Sequence, residues 1–133
     1  MKLRDVLKES YKKYWINDKG KLITVPSSLD HDEVLHKFLE KSFFGNKDPE
    51  STASLRRAWN EVIDKRGWVR MTIARYKDDF GYEASIEYDP KAITSSAVKS
   101  LKNVIQNRDI KIVYTEFGMK NTKLTSKKFL NTL

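Results

Sequence analysis

The chain's two histidines fall in one short run, Asp30-His31-Asp32-Glu33 with His36 beyond it, and no other stretch groups residue types that bind metals or move protons. A helix that holds a metal through two histidines spaces them four apart, on one face. His31 and His36 are five apart, about 140° around the axis. Asp32 and His36 do share a face, and His36 stands one turn from Glu40. The spacing fits another role better: Asp30 and Glu33 have the separation of a capping box, with Asp in place of the usual Ser or Thr. His31, Asp32 and His36 are therefore the only metal-ligand candidates, and no metal or other cofactor is expected. The same two imidazoles would have to supply any histidine general base. The chain has no Cys, which removes disulfides, thiolate zinc sites and cysteine nucleophiles. It also lacks a serine nucleophile turn and a glycine-rich phosphate loop. A non-enzymatic protein is the expectation.

The second kind of chemistry is electrostatic. The formal net charge is +8 over 133 residues, which calls for an acidic partner. Residues 1–26 carry seven basic and three acidic groups, residues 27–90 ten and thirteen, and residues 91–133 nine and two. The excess lies at the two ends. Lys12, Lys13, Lys120, Lys123, Lys127 and Lys128 are the candidate nucleic-acid contacts, of a salt-dependent kind with little sequence preference. Only Phe129 interleaves with the C-terminal lysines, so a stacking groove is not indicated. The RNA-recognition strand pattern is met at Arg66, Gly67 and Trp68 but fails at Val69, Arg70 and Ile73. Trp68 and Arg70, types that dominate binding hot spots, form a candidate protein-interaction spot. Self-association or another protein partner is the alternative to nucleic acid.

These residues need elements to hold them. The length and composition indicate one domain, 1–133, with a core built without metal or disulfide. No apolar run is long enough to span a bilayer and no signal-peptide stretch opens the chain, so a cytoplasmic protein without membrane contact is expected. Residues 66–89 read as two antiparallel strands. Placing Arg75 opposite Tyr82 puts Val69, Met71, Ile73, Ala84, Ile86 and Tyr88 on one face and Arg70, Thr72, Ala74, Glu83, Ser85 and Glu87 on the other; a one-residue slip would spoil both. Residues 2–14 read as a basic amphipathic helix through Leu3, Val6, Leu7, Tyr11 and Tyr14. Residues 15–25 read as a small hairpin. Helices follow from Asp30 to about Phe44, from a restart at Asp48-Pro49 to Gly67, and from a cap at Thr94. Ile110 to Phe117 is the last strand, with Ile110, Ile112 and Tyr114 on one face. Residues 118–133 form a basic C-terminal tail with a short helix as a candidate at its end.

The expected fold is α+β: an antiparallel sheet of three to four strands with helices on one face. If residues 22–25 supply the first strand, the order is ferredoxin-like, βαββαβ, with an extra N-terminal helix. Residues 15–25 forming a separate ribbon is the alternative.

The tract Trp-Ile-Asn-Asp-Lys-Gly-Lys-Leu-Ile-Thr-Val-Pro at residues 15–26, His31 soon after, and Arg-Gly-Trp-Val-Arg at 66–70 resemble small accessory proteins of tailed bacteriophages. The resemblance covers about a fifth of the chain. It implies an accessory role in an infected cell, in the host cytoplasm, or a minor virion component. It carries over no catalytic residue.

Overall fold

The computed structural model describes residues 12–26, 28–43, 51–75, 81–117 and 120–133. Strands β1 (Lys12–Ile16) and β2 (Leu22–Val25) come first, then helices α1 (His31–Phe43) and α2 (Thr52–Asn60). A single π turn (Glu61–Lys65) leads to β3 (Val69–Arg75) and β4 (Tyr82–Glu87). Then come α3 (Ser95–Asn107), β5 (Ile110–Phe117), β6 (Lys120–Thr125) and α4 (Ser126–Thr132).

The central hairpin has the register that its alternating pattern requires. Arg70 faces Glu87, Met71 Ile86, Thr72 Ser85, Ile73 Ala84, Ala74 Glu83 and Arg75 Tyr82. Tyr76 and the loop residues 77–80 lie outside the described residues. Gly67 makes the entry to β3 at φ 72, and a side chain there would collide with the Ala92 carbonyl. Only glycine tolerates both the left-handed backbone and that approach.

Around the hairpin the sheet departs from the expectation. It has six strands in the order β2-β1-β3-β4-β5-β6, not three or four. It is mixed rather than antiparallel, because β4 and β5 run parallel. Parallel neighbours need a crossover, and α3 supplies it. That topology replaces the ferredoxin-like order. Residues 15–25 are not a separate ribbon either, since β1 pairs with β3 as well as β2. Two strands were hard to see for opposite reasons. In β1 the consecutive residues Tyr14, Trp15 and Ile16 are all buried, because each side of the strand meets a core; this erases the alternation of a half-exposed strand. Lys12–Tyr14, assigned from sequence to the end of a helix, belong to this strand; residues 2–11 lie outside the described residues. In β6 the sequence is Lys-Asn-Thr-Lys-Leu-Thr, and an edge strand so polar has too few apolar positions to show a period.

Helices cover both faces, not one. On the first face Tyr14, Ile16, Val69, Met71, Ile73, Ala84, Ile86 and Val113 pack against Ala97, Leu101, Val104 and Ile105 of α3 and Phe129 of α4. On the second, Trp15 and Val25 pack against Val34, Leu35 and Leu39 of α1, Ala58 of α2, and Val62 and Ile63 of the π turn. The face of β5 also differs from expectation. The register shifts between Tyr82 and Glu83, so Ile110 joins the first core with Val113 while Ile112 and Tyr114 are only partly buried. A bulge of this kind moves a side chain to the other face.

The caps are local and explicit. Asp30 Oδ1 accepts from the Glu33 amide at 2.8 Å and Glu33 Oε2 accepts from the Asp30 amide at 3.3 Å, a complete capping box. Ser51 caps α2; Asp48 and Pro49 lie outside the described residues. Thr94 caps α3, accepting from the Ala97 amide at 3.1 Å, and Thr125 caps α4, accepting from Lys128 at 3.3 Å. The Thr94 hydroxyl also donates to the Asp18 carbonyl at 2.5 Å, and the Ser100 hydroxyl donates to the Gly20 carbonyl. These two bonds fix the β1–β2 turn against α3.

Candidate functional site

Arg70 and Thr72 project from the second face of β3, beneath the start of α1. His31 opens that helix, and its Nε2 lies 3.2 Å from the Thr72 hydroxyl. Trp15, from the adjacent strand, stacks on Trp59 at 4.9 Å with planes 15° apart. His31 and Trp68 both meet Trp15 edge-on, at 5.8 and 5.7 Å. Trp59 donates Nε1–H to Asp32 at 2.6 Å. The Arg70 guanidinium lies 4.4 Å from the Trp59 ring centroid and pairs with Glu87. Two sets flagged separately in the sequence, His31 with Asp32 and Trp68 with Arg70, are thus brought into one cluster. All three tryptophans of the chain belong to it.

The electrostatics follow from this packing. Burial, then the nearby Arg70 and Lys13 charges, lower the His31 pKa from 6.5 to about 4, with Asp30 opposing weakly. The imidazole is neutral at physiological pH. Its Nδ1 and the Trp15 Nε1 are buried with no hydrogen-bond partner among the described residues. A base that works through a hydroxyl needs a third group to orient its far nitrogen. His31 has a hydroxyl, Thr72, on one nitrogen and no such group on the other among the described residues. His36 is partly buried further along α1, and no group of three His, Cys, Asp or Glu comes together to hold a metal among the described residues. Asp32 is taken by Trp59. Trp68 and Arg70 are each partly buried within the cluster. Beside Trp68, at 6.5 Å between ring centroids, Phe38 is 53% exposed.

The lysines are distributed differently from the charge count along the chain. Lys12 and Lys13 are on β1, Lys123 on β6; β3, β4 and β5 separate them, roughly 19 Å at the usual strand spacing. Among the described residues, the lysines of β1 therefore do not adjoin Lys123. Lys127 and Lys128, exposed on α4, have α3 as their neighbour instead. The Lys120 side chain lies outside the described residues. Together α3 and α4 carry Lys99, Lys102, Lys127 and Lys128 and no carboxylate. The layer on the second face, α1, α2 and the π turn, holds five acidic and five basic residues. Lys99 and Lys102 were visible on the outward stripe of α3, but nothing in the sequence joined them to Lys127 and Lys128. The absence of any acid between residues 95 and 107 was the available signal.

Among the described residues no helix is long and apolar enough to cross a membrane. No family model, curated protein or solved structure matches the chain.

Proposed function

We propose that this protein is a non-enzymatic binding module that docks on the phosphate backbone of a nucleic acid through the outer surface of α3 and α4. The observation that carries this reading is the layer of four lysines without a carboxylate on one side of a sheet whose other helical layer is neutral. Lys99, Lys127 and Lys128 are exposed, and Lys102 is partly so. Their positive field attracts phosphates, and binding releases condensed counterions without reading bases. For a chain similar to phage accessory proteins, the polyanion is the DNA or RNA of an infected cell. Fluorescence anisotropy with labelled duplex and single-stranded probes across a salt series tests the proposal. Affinity should fall steeply as salt rises; negligible binding at low salt would overturn it.

A second reading rests on Phe38, the large hydrophobic side chain exposed beside Trp68. An exposed phenylalanine beside a partly buried tryptophan is the kind of anchor a protein partner or a second copy of the chain would bury. Size exclusion with light scattering checks the second copy: Phe38→Ala should shift a dimer to monomer, and a wild-type monomer removes self-association.

A further inference from the structure

The turn between β1 and β2 is held against the outer layer of the first face. Asn17 shapes it: the side-chain Oδ1 accepts from the Lys19 and Lys21 amides at 3.0 and 2.9 Å, and the backbone carbonyl accepts from the Gly20 amide at 3.0 Å. The turn is tied to α3 by the Thr94 bond to the Asp18 carbonyl and the Ser100 bond to the Gly20 carbonyl. Gly20, at φ 81, lies so close to that helix that a Cβ would come within 2.6 Å of the Ser96 carbonyl oxygen. Lys19 and Lys21 flank this glycine and are both exposed; Asp18, also exposed, offsets one of the two charges. On α3, Ser96 and Ser100 mark the flank that the turn meets. Lys102 is two residues beyond Ser100, about 200° around the axis and so on the opposite flank, with Lys99 on the outward side between them. Helix α4 lies beside α3 and along β5 and β6, at the other end of the sheet from β2. The basic groups on this side of the sheet thus stand in three rows, on the turn, on α3 and on α4.

We infer that these three rows take a nucleic-acid duplex in preference to a single strand, which rests on the proposed binding by α3 and α4 and adds the β1–β2 turn to that surface. Packed helices lie about 8–10 Å apart, and the turn is in direct contact with α3. Neighbouring rows are therefore spaced on the scale of the duplex grooves, which are about 6 and 12 Å wide. Lysines at that spacing can meet phosphates of both strands across one groove. A duplex holds its two rows of phosphates at a fixed separation, so a rigid array meets them without having to order the ligand. A single strand offers one flexible row, and proteins that hold one add aromatic rings for its bases to stack on. The rings that pack beneath α3 and α4, Tyr14, Tyr88 and Phe129, are buried in the core and offer no such platform.

Anisotropy titrations of the full chain with a labelled DNA duplex, and with a single strand of equal length that cannot pair with itself, test this at matched salt. The duplex should bind about tenfold or more tightly. An RNA duplex titrated alongside identifies the source, the tighter of the two duplexes being the ligand. Alanine keeps the backbone amides that Asn17 holds, so Lys19→Ala/Lys21→Ala should melt like the wild type. Its slope of log duplex affinity against log salt should flatten by about 0.9 for each of the two lysines that contacts a phosphate. Equal or tighter binding of the single strand, or a duplex slope that the turn variant leaves unchanged, would overturn the inference and leave the α3–α4 reading standing. Negligible binding of every probe at low salt would remove that reading itself, and the duplex preference with it.

Discussion

The two faces of the sheet are built from similar amounts of helix but for different purposes. The first face is an aliphatic core under α3 and α4, where Leu101, Met71, Ile86 and Val113 are fully buried and the helices show lysines to solvent. The second face concentrates the chain's tryptophans, one histidine and an arginine between β1, β3 and α1–α2. Several polar groups on the second face are paired with one another, Trp59 with Asp32 and Arg70 with Glu87. On the first face Lys99, Lys127 and Lys128 are exposed and form no salt bridge among the described residues. On the proposed function, the densest cluster of functional-looking residues is not the recognition surface. Residues that satisfy each other contribute to stability, while the lysines of α3 and α4, without an ion pair among the described residues, are the ones proposed to bind.

Breaking the second face should produce the largest effect. Trp15 is 1% exposed and supports both Trp59 and Trp68, so Trp15→Ala should cost about 3–5 kcal/mol in a urea melt. Intrinsic fluorescence should change even in the folded variant. Arg70→Ala removes the contact over Trp59 and leaves Glu87 without that cation; a loss of about 1–2 kcal/mol is expected. Glutamine at 70 should not restore it, since it is neutral.

Acid separates the faces by a different route. The folded-state pKa of His31 is lowered, so its contribution to stability is complete above the unfolded value of 6.5. It is lost progressively as pH falls from there toward about 4. Urea midpoints measured across that window should fall in the wild type and fall less in His31→Gln. Equal slopes for the two proteins would contradict the buried, neutral imidazole. The smallest effect is expected on the first face. Thr94→Ala deletes the α3 cap and the bond to Asp18, costing about 1 kcal/mol by thermal or chemical melting.

How much of this was legible in the sequence follows the same division. The β3–β4 register was fixed by strict alternation over Val69 to Glu87, and the Asp30–Glu33 and Thr94 caps are local signals that need no tertiary knowledge. The sheet's extent was not legible, because β1 is buried on both sides and β6 on hardly any. The parallel β4–β5 pairing depends on how α3 crosses over, which no local pattern records. At the site, His31, Asp32, Trp68 and Arg70 were each identifiable by type. Their convergence was not, since it requires β1 to pair with β3 and α1 to cross above them. For the lysines the charge sum pointed to the two ends of the chain, and whether they meet depends on the sheet order, which puts Lys12 and Lys13 on β1 and Lys123 on β6.

The central claim is that binding belongs to the first face's helix layer, and the salt dependence of duplex affinity tests it most directly. Lys127→Ala/Lys128→Ala should weaken binding and flatten the slope of log affinity against log salt by about 0.9 for each lysine that contacts a phosphate. Lys37→Ala/Lys65→Ala, which removes two lysines from the second face, should leave the slope unchanged. Equal flattening by the two pairs, or none by the first, would contradict the account.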